Sequence, residues 1–272
     1  MPTVSSSPAS PEPHQARQAA ESFGTDPERY DRTRPRYPPG LVERIIAASP
    51  GRDVLDVGIG TGVCARPFRA AGCRVLGVEV DPRMAEFARR QGFDVEVAKF
   101  EDWDPAGRAF DTIIAAMTWH WIDPAAGAAK AAGLLRPEGR LAVFWNVGQP
   151  PPDLAGAFSE VYQRVLPDTP FAHTSSDPLA AYEQFFTKAA NEIEQVGAFH
   201  EPQRWQFDWE RRYTKDQWLE QVPTFGGHSK FSPTKLDQLL AGLGDTIDAI
   251  GGSFAMRYAA VAVTASRRAD SA

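Results

Sequence analysis

From residue 41 onward, short apolar runs alternate with segments whose apolar residues recur at helical spacing. Leu41 to Ala48 has that spacing and is broken by Pro50-Gly51. Asp53 to Val57 is a short apolar run ending at a glycine cluster, the pattern of a buried parallel strand. Val63 to Ala71 then fits a helix closed by Gly72, Arg74 to Val80 a second strand, and Pro82 to Gln91 a second helix closed by Gly92. Asp94 to Ala98 alternates as a third strand and Asp111 to Ala116 is a fourth. Gly127 to Leu135 fits a helix stopped by Pro137 and Gly139, and Arg140 to Trp145 a fifth strand.

Strands alternating with helices of this length imply right-handed crossovers and an α/β fold with a mostly parallel sheet. After Gln149 the pattern changes. Pro150-Pro151-Pro152 is a stiff connector, followed by helical periodicity over Asp153 to Leu166 and Leu179 to Val196. Arg204 to Tyr213 and Ser253 to Thr264 alternate like strands, with helical segments Lys215 to Gln221 and Pro233 to Ile250 between them. The expected organisation is a disordered tail over 1–20, a ligand-binding core with its N-terminal approach over 21–149, and helical capping insertions over 150–272, whose late strands complete the same sheet.

Apolar residues make up 43% of the 272-residue chain and charged residues 24%, a globular composition. The net charge of −6 argues against nucleic-acid binding, which needs a basic face. No apolar run approaches the length that spans a bilayer, and the N-terminus lacks a secretory pattern, so a cytoplasmic protein with no membrane partner is expected. Cys64 and Cys73 read as packing residues. The five histidines, at 14, 120, 173, 200 and 228, lack ligand spacing, so no metal is expected.

The strongest local signal is Asp56-Val57-Gly58-Ile59-Gly60-Thr61-Gly62. Glycines at a strand end let the backbone turn tightly and approach a ligand, and the following helix start offers free N–H groups. Further on, Glu79 ends the next strand, where a carboxylate can accept from both hydroxyls of a ribose. A phosphate loop needs Lys and Ser/Thr after its last glycine, but Val63-Cys64 follows here. A dinucleotide fingerprint would place glycine where Val63 stands, and Asp56 suits a cation better than a pyrophosphate. These residues favour a nucleoside with a cationic amino-acid tail.

Asp56-x-Gly58-x-Gly60-x-Gly62 with Glu79 resembles the S-adenosylmethionine (SAM) site of class I methyltransferases. The resemblance continues through Phe110-Asp111 and Leu134-Leu135-Arg136-Pro137-Glu138-Gly139-Arg140 and covers roughly residues 50 to 145. It implies a Rossmann-like seven-stranded sheet with one antiparallel strand, helices on both faces and helical cap insertions. It also implies that Gly58 and Gly60 pass under the methionine portion, that Glu79 holds the ribose, and that Met84 packs on adenine. Where relatives carry an acidic residue near the adenine amino group, this chain has Lys99-Phe100-Glu101-Asp102. The expected contact there is the carboxylate of Glu101 or Asp102, or the backbone of Phe100.

On the acceptor side, Trp119-His120-Trp121 follows the fourth strand and Trp145 ends the fifth, all at the edge where ligands bind in such sheets. Aromatic walls exclude water and attract a sulfonium. The segment resembles methyltransferases acting on small carboxylic acids, the trans-aconitate type. His120 is the candidate base for a phenol or amine, whereas a carboxylate acceptor needs none. In the resemblance, an N-terminal Tyr and Arg-Pro-x-Tyr segment, here Tyr30 and Arg34-Pro35-Arg36-Tyr37, folds over the cofactor; the expectation is that Tyr30 and Arg34 close the site, with Arg34 or Arg36 gripping a substrate anion. Phe225 and His228, beside Gly226-Gly227, are candidate pocket residues. The expected function is methyl transfer to a small molecule, at the oxygen of a carboxylate or hydroxyl. The alternatives are a non-catalytic SAM-binding protein and an NAD-dependent oxidoreductase.

Overall fold

The computed structural model describes residues 21–169 and 177–269, so the tail expected over 1–20 lies outside the described residues. Its strands are β1 (Asp53–Val57), β2 (Arg74–Glu79), β3 (Asp94–Val97), β4 (Phe110–Ala116), β5 (Leu135–Gln149), β6 (Gln203–Thr214) and β7 (Ser253–Ser266). They form one sheet in the order β3-β2-β1-β4-β5-β7-β6. Pairing is parallel from β3 through β5. β7 runs antiparallel to both its neighbours, which leaves β6 aligned with the rest. From β1 the chain winds outward to β2 and β3, then returns to start β4 on the other side. The carboxyl ends of β1 and β4 therefore flank the switch point, where a parallel sheet opens a crevice.

Alternation along the strands sorts side chains onto two covered faces. On one face Leu141, Val143, Trp145 and Val147 of β5 pack with Phe186, Ala189 and Ile193. Those three lie on the helix Pro178–Gln195. On the other face, Ala142 and Phe144 pack with Leu41, Val42, Ile45 and Phe68. These come from the helices Pro39–Ala47 and Ala65–Ala70. The N-terminal ends of the strands are tied electrostatically. Asp111 accepts from the Asp53 backbone N–H at 2.9 Å and from Arg136 Nη1 at 3.0 Å. The Phe110-Asp111 and Arg136 signature is thus a brace at the end of the sheet away from the crevice.

β6 and β7 outrun the sheet. The last β5–β7 pair is Gln149 with Arg257, while Arg211 to Thr214 continue to pair with Ser253 to Met256. This projecting arm carries a second core: Tyr213, Phe254, Met256 and Tyr258 pack with Leu154, Phe158, Trp218, Leu239 and Leu243. The helices are Pro152–Val165, Lys215–Gln221 and Pro233–Ala249. Not every helix of the region expected to cap the pocket joins this arm. Helix Pro178–Gln195 lies on the sheet instead, because Phe186, Ala189 and Ile193 form a stripe matching the β5 face.

Two further differences have local causes. β5 begins at Leu135 rather than Arg140, through a register shift opposite Phe110 to Thr112 that accommodates Pro137, and Glu138 takes a φ of 63°. Ahead of the first helix expected from the sequence, residues Pro27–Thr33 form a further helix, which Asp26 caps by accepting from Arg29 N–H at 2.9 Å.

Candidate functional site

At the end of β1 the chain turns through Gly58, Gly60 and Gly62 with φ values of 71°, 57° and 84°. A Cβ built on Gly60 meets nothing within 4 Å, so this part of the loop borders open space large enough for a ligand to approach the backbone. Gly62 is different: a Cβ there would lie 2.7 Å from Cε2 of the Phe93 ring. Gly62→Ala combines that clash with a left-handed backbone costing about 1–2 kcal/mol. A fall in melting temperature of about 4–8 °C is expected by calorimetry. An unchanged transition would show that the loop can relax without its glycine.

Glu79 closes the loop. Its Oε2 accepts from Gly60 N–H at 2.8 Å, and its Oε1 accepts from Val80 N–H and Asp81 N–H, each at 2.9 Å. Burial raises its pKa, opposed by those three backbone donors. Asp56 lies in the middle of the sheet, fully buried, with neither carboxylate oxygen hydrogen-bonded. Desolvation, and secondly the Glu79 charge, push it up to about 8. Two buried carboxyls beside an open glycine loop suit a ligand that brings hydroxyl donors and a positive charge. The donor set therefore fits a nucleoside with a cationic tail.

Beyond the loop, the N-terminal approach and the projecting cap converge on Arg34. Its guanidinium lies 4.6 Å from the Tyr30 ring centroid, 5.7 Å from Phe23 and 5.4 Å from Phe225. Nη2 donates to the Thr224 carbonyl, while Nε is buried without a partner. No carboxylate of the described residues pairs with this cation, although burial ordinarily demands one. Phe23 also contacts Trp121, at 6.5 Å between centroids, which brings the N-terminal segment to the end of β4.

The tryptophans divide. Trp121 is partly exposed at the pocket side, beside His120 at 4.9 Å. Trp119, expected in the substrate wall, is 3% exposed and donates through Nε1 to Glu192 at 3.0 Å. It is a core residue beneath the helix Pro178–Gln195. Trp145 is likewise buried, against Phe186, and its Nε1 donates to His120 Nδ1 at 3.2 Å. His120, expected as a base, is pushed down to about 4 by burial alone. His228, expected to line the pocket, is 1% exposed; its Nε2 is 2.9 Å from the Tyr162 hydroxyl, inside the core of the cap. Phe225 stays at the boundary, packed between Trp218 and Arg34.

On the expected adenine side, Met84 is buried on the helix Pro82–Arg90. Phe100 is buried in the main core, and Glu101 Oε1 accepts from Asp123 N–H at 2.8 Å. That bond commits Glu101 to holding the start of the helix Pro124–Leu134 and leaves the Phe100 position to offer backbone only. Sequence reasoning missed Phe23, Tyr182 and Phe185. Phe23 was detectable as the lone aromatic in a polar stretch; Tyr182 and Phe185 are on a helix whose orientation only the fold determines. Among the described residues, no group of three or more His, Cys, Asp or Glu could hold a metal ion, and no helix is long and apolar enough to cross a membrane.

Comparison with known proteins bears on this geometry. Residues 54–139 match the family described as a methyltransferase domain. An uncharacterised methyltransferase of Mycobacterium bovis is 35% identical over 128 residues, 46% of this chain and 52% of that protein. The demethylmenaquinone methyltransferase of Tropheryma whipplei is 30% identical over 147 residues, 52% of this chain and 59% of that protein. The chain spans about half the length of the curated relatives it matches. Among solved structures, a candidate type II methyltransferase from Anaeromyxobacter dehalogenans superposes with a TM-score of 0.60 at 21% identity. It covers 86% of this chain and 97% of its own.

Proposed function

We propose that this chain, whose residues 54–139 form a methyltransferase domain of the class I fold, transfers a methyl group from SAM to an oxygen of a small-molecule acceptor. The observation that carries this reading is the pair of buried carboxyls at the glycine loop: Glu79 tethers Gly60, and Asp56 has both oxygens unsatisfied. In this reading Glu79 accepts from the ribose hydroxyls, the Gly58–Gly62 backbone runs beside the methionine portion, and Asp56 faces the positive charge. Met84 borders the adenine. When bound, SAM supplies an electrophilic methyl group on a sulfonium.

The chain's own contribution is alignment and exclusion of water. Tyr30 and Arg34 close the site from the N-terminal side, and the Arg34 guanidinium attracts an anionic group of the acceptor. Trp121 and Phe225 supply apolar walls. No side chain in this arrangement has to remove a proton, which favours an acceptor oxygen that arrives already nucleophilic, such as a carboxylate or an ionised hydroxyl.

Calorimetric titration with SAM, S-adenosylhomocysteine and NAD in parallel tests the cofactor. Micromolar binding of the first two, without NAD, is expected. NAD binding alone would overturn the proposal, and SAM binding without S-adenosylhomocysteine formation across acids and phenols would turn it towards a non-catalytic binder.

A further inference from the structure

His120 sits in the single turn Trp119–Trp121 at the exit of β4, with its ring 4.9 Å from Trp121 and 5.2 Å from Phe185 between centroids. Phe185 leads to Tyr182 at 5.5 Å, and Tyr182 lies within reach of the Arg34 charge. Arg34 touches Phe23, and Phe23 touches Trp121. These side chains form a continuous run of contacts that joins His120 to Arg34.

The hydrogen bond from Trp145 decides what His120 can do there. An indole nitrogen only donates, so the Nδ1 it meets at 3.2 Å must present a lone pair. A neutral imidazole carries one proton, which is then on Nε2. Trp145 cannot turn away: it is 1% exposed, clamped by Phe186 at 5.4 Å, and set on its face of β5 by the strand's alternation. Nothing charged helps His120 to protonate, since burial alone accounts for its lowered pKa. Nε2 has no partner among the described residues.

We infer that His120 is a fixed Nε2–H donor, locked in that tautomer by Trp145 as a positioning residue, and that it recognises an acceptor oxygen entering with a free lone pair. The inference rests on the methyl-transfer reading for the identity of the ligand but not for the tautomer. It replaces the general base expected from the sequence. A base would need an open basic nitrogen, and here one nitrogen is occupied by the indole and the other already carries the proton. The acceptor class that follows is an oxyanion or carbonyl oxygen, with a carboxylate satisfying His120 and Arg34 together.

The test uses the full chain with nitrogen-15-labelled histidine, observed by NMR with S-adenosylhomocysteine present. His120 is expected in the Nε2–H tautomer and neutral down to about pH 5. An Nδ1–H tautomer, or an imidazolium at neutral pH, would overturn the inference in the wild-type protein, before any variant is made. Trp145→Phe should then produce a mixture of tautomers. Benzoate, 4-hydroxybenzoate and octanoate serve as probes. At least one should move the His120 Nε2 resonance, bind about tenfold more weakly to His120→Ala, and recover most of that loss in His120→Gln, whose amide N–H takes the place of Nε2–H. No shift with any probe, or equal binding to His120→Ala, would remove the donor role towards the acceptor. Failure of the wild-type chain to bind S-adenosylhomocysteine would instead retire the methyl-transfer reading, with the tautomer still observable.

Discussion

Glu79→Ala is expected to weaken SAM binding by about a hundredfold to ten-thousandfold, the loss of two hydrogen bonds to a charged acceptor at about 1.5–3 kcal/mol each. The same carboxylate also shapes the loop. Through Oε2 it fixes Gly60, and through Oε1 it gathers the N–H groups of Val80 and Asp81. Removing it frees the glycine segment at the moment when its order matters for the ligand. Glu79→Ala also leaves the Gly60, Val80 and Asp81 N–H groups without their acceptor, so a fall in melting temperature should accompany the loss of affinity. Glu79→Gln gives an internal control. Its carbonyl can still accept from Val80 and Asp81, but its amide would meet the Gly60 N–H donor to donor. Affinity should therefore order as wild type, then Gln, then Ala, by calorimetric titration with far-ultraviolet circular dichroism unchanged. Binding to the Ala variant within about threefold of wild type would remove Glu79 from the cofactor site.

The sheet was readable in the sequence because its strands are buried on both faces and appear as unbroken apolar runs. Val54-Leu55 and Ile113-Ile114 are such runs, each divided by the fold between opposite faces. The glycine loop was readable because its backbone needs left-handed conformations. What the pattern could not show is which face an aromatic at a strand end takes. Trp119 and Trp121 are two residues apart and chemically alike, yet one is in the core and the other beside the pocket. The short turn between them turns their rings apart, and no periodicity of two or 3.6 applies to it. The Arg34 assembly was half visible. Arg34 stood out, but its partners Phe23, Phe225 and the Thr224 carbonyl come from both ends of the described chain, and only the projecting β6–β7 arm brings them together. His228 illustrates the reverse error. Beside two glycines it looked like part of a mobile pocket loop, but Tyr162, Phe225 and Phe231 enclose it.

Affinity for SAM should rise with pH up to about 8, by at most tenfold per unit, and Asp56→Asn should abolish the rise. The Asp56 carboxyl is pushed up to about 8 from an ordinary 3.8, first by desolvation and second by Glu79. Between those values the folded chain without ligand holds a proton that the unfolded chain has lost. Its stability therefore falls as pH rises through this window and levels off above the folded-state pKa. A cation set against Asp56 reverses the preference, since it favours the ionised form; binding then expels the proton, and a lower proton concentration strengthens binding. The α-amino group of SAM itself begins to lose its proton near pH 8, which ends the rise. Asp56→Asn resembles the protonated wild type. The two should bind SAM alike near pH 6 and separate as pH increases, while the variant's melting temperature loses its decline over the same range. 5′-Methylthioadenosine, which keeps the adenosine but lacks the charged tail, should bind both proteins without this slope. Equal slopes for the two ligands would place the positive charge away from Asp56, and a slope surviving in Asp56→Asn would assign the titration to Glu79, the other buried carboxyl at the loop.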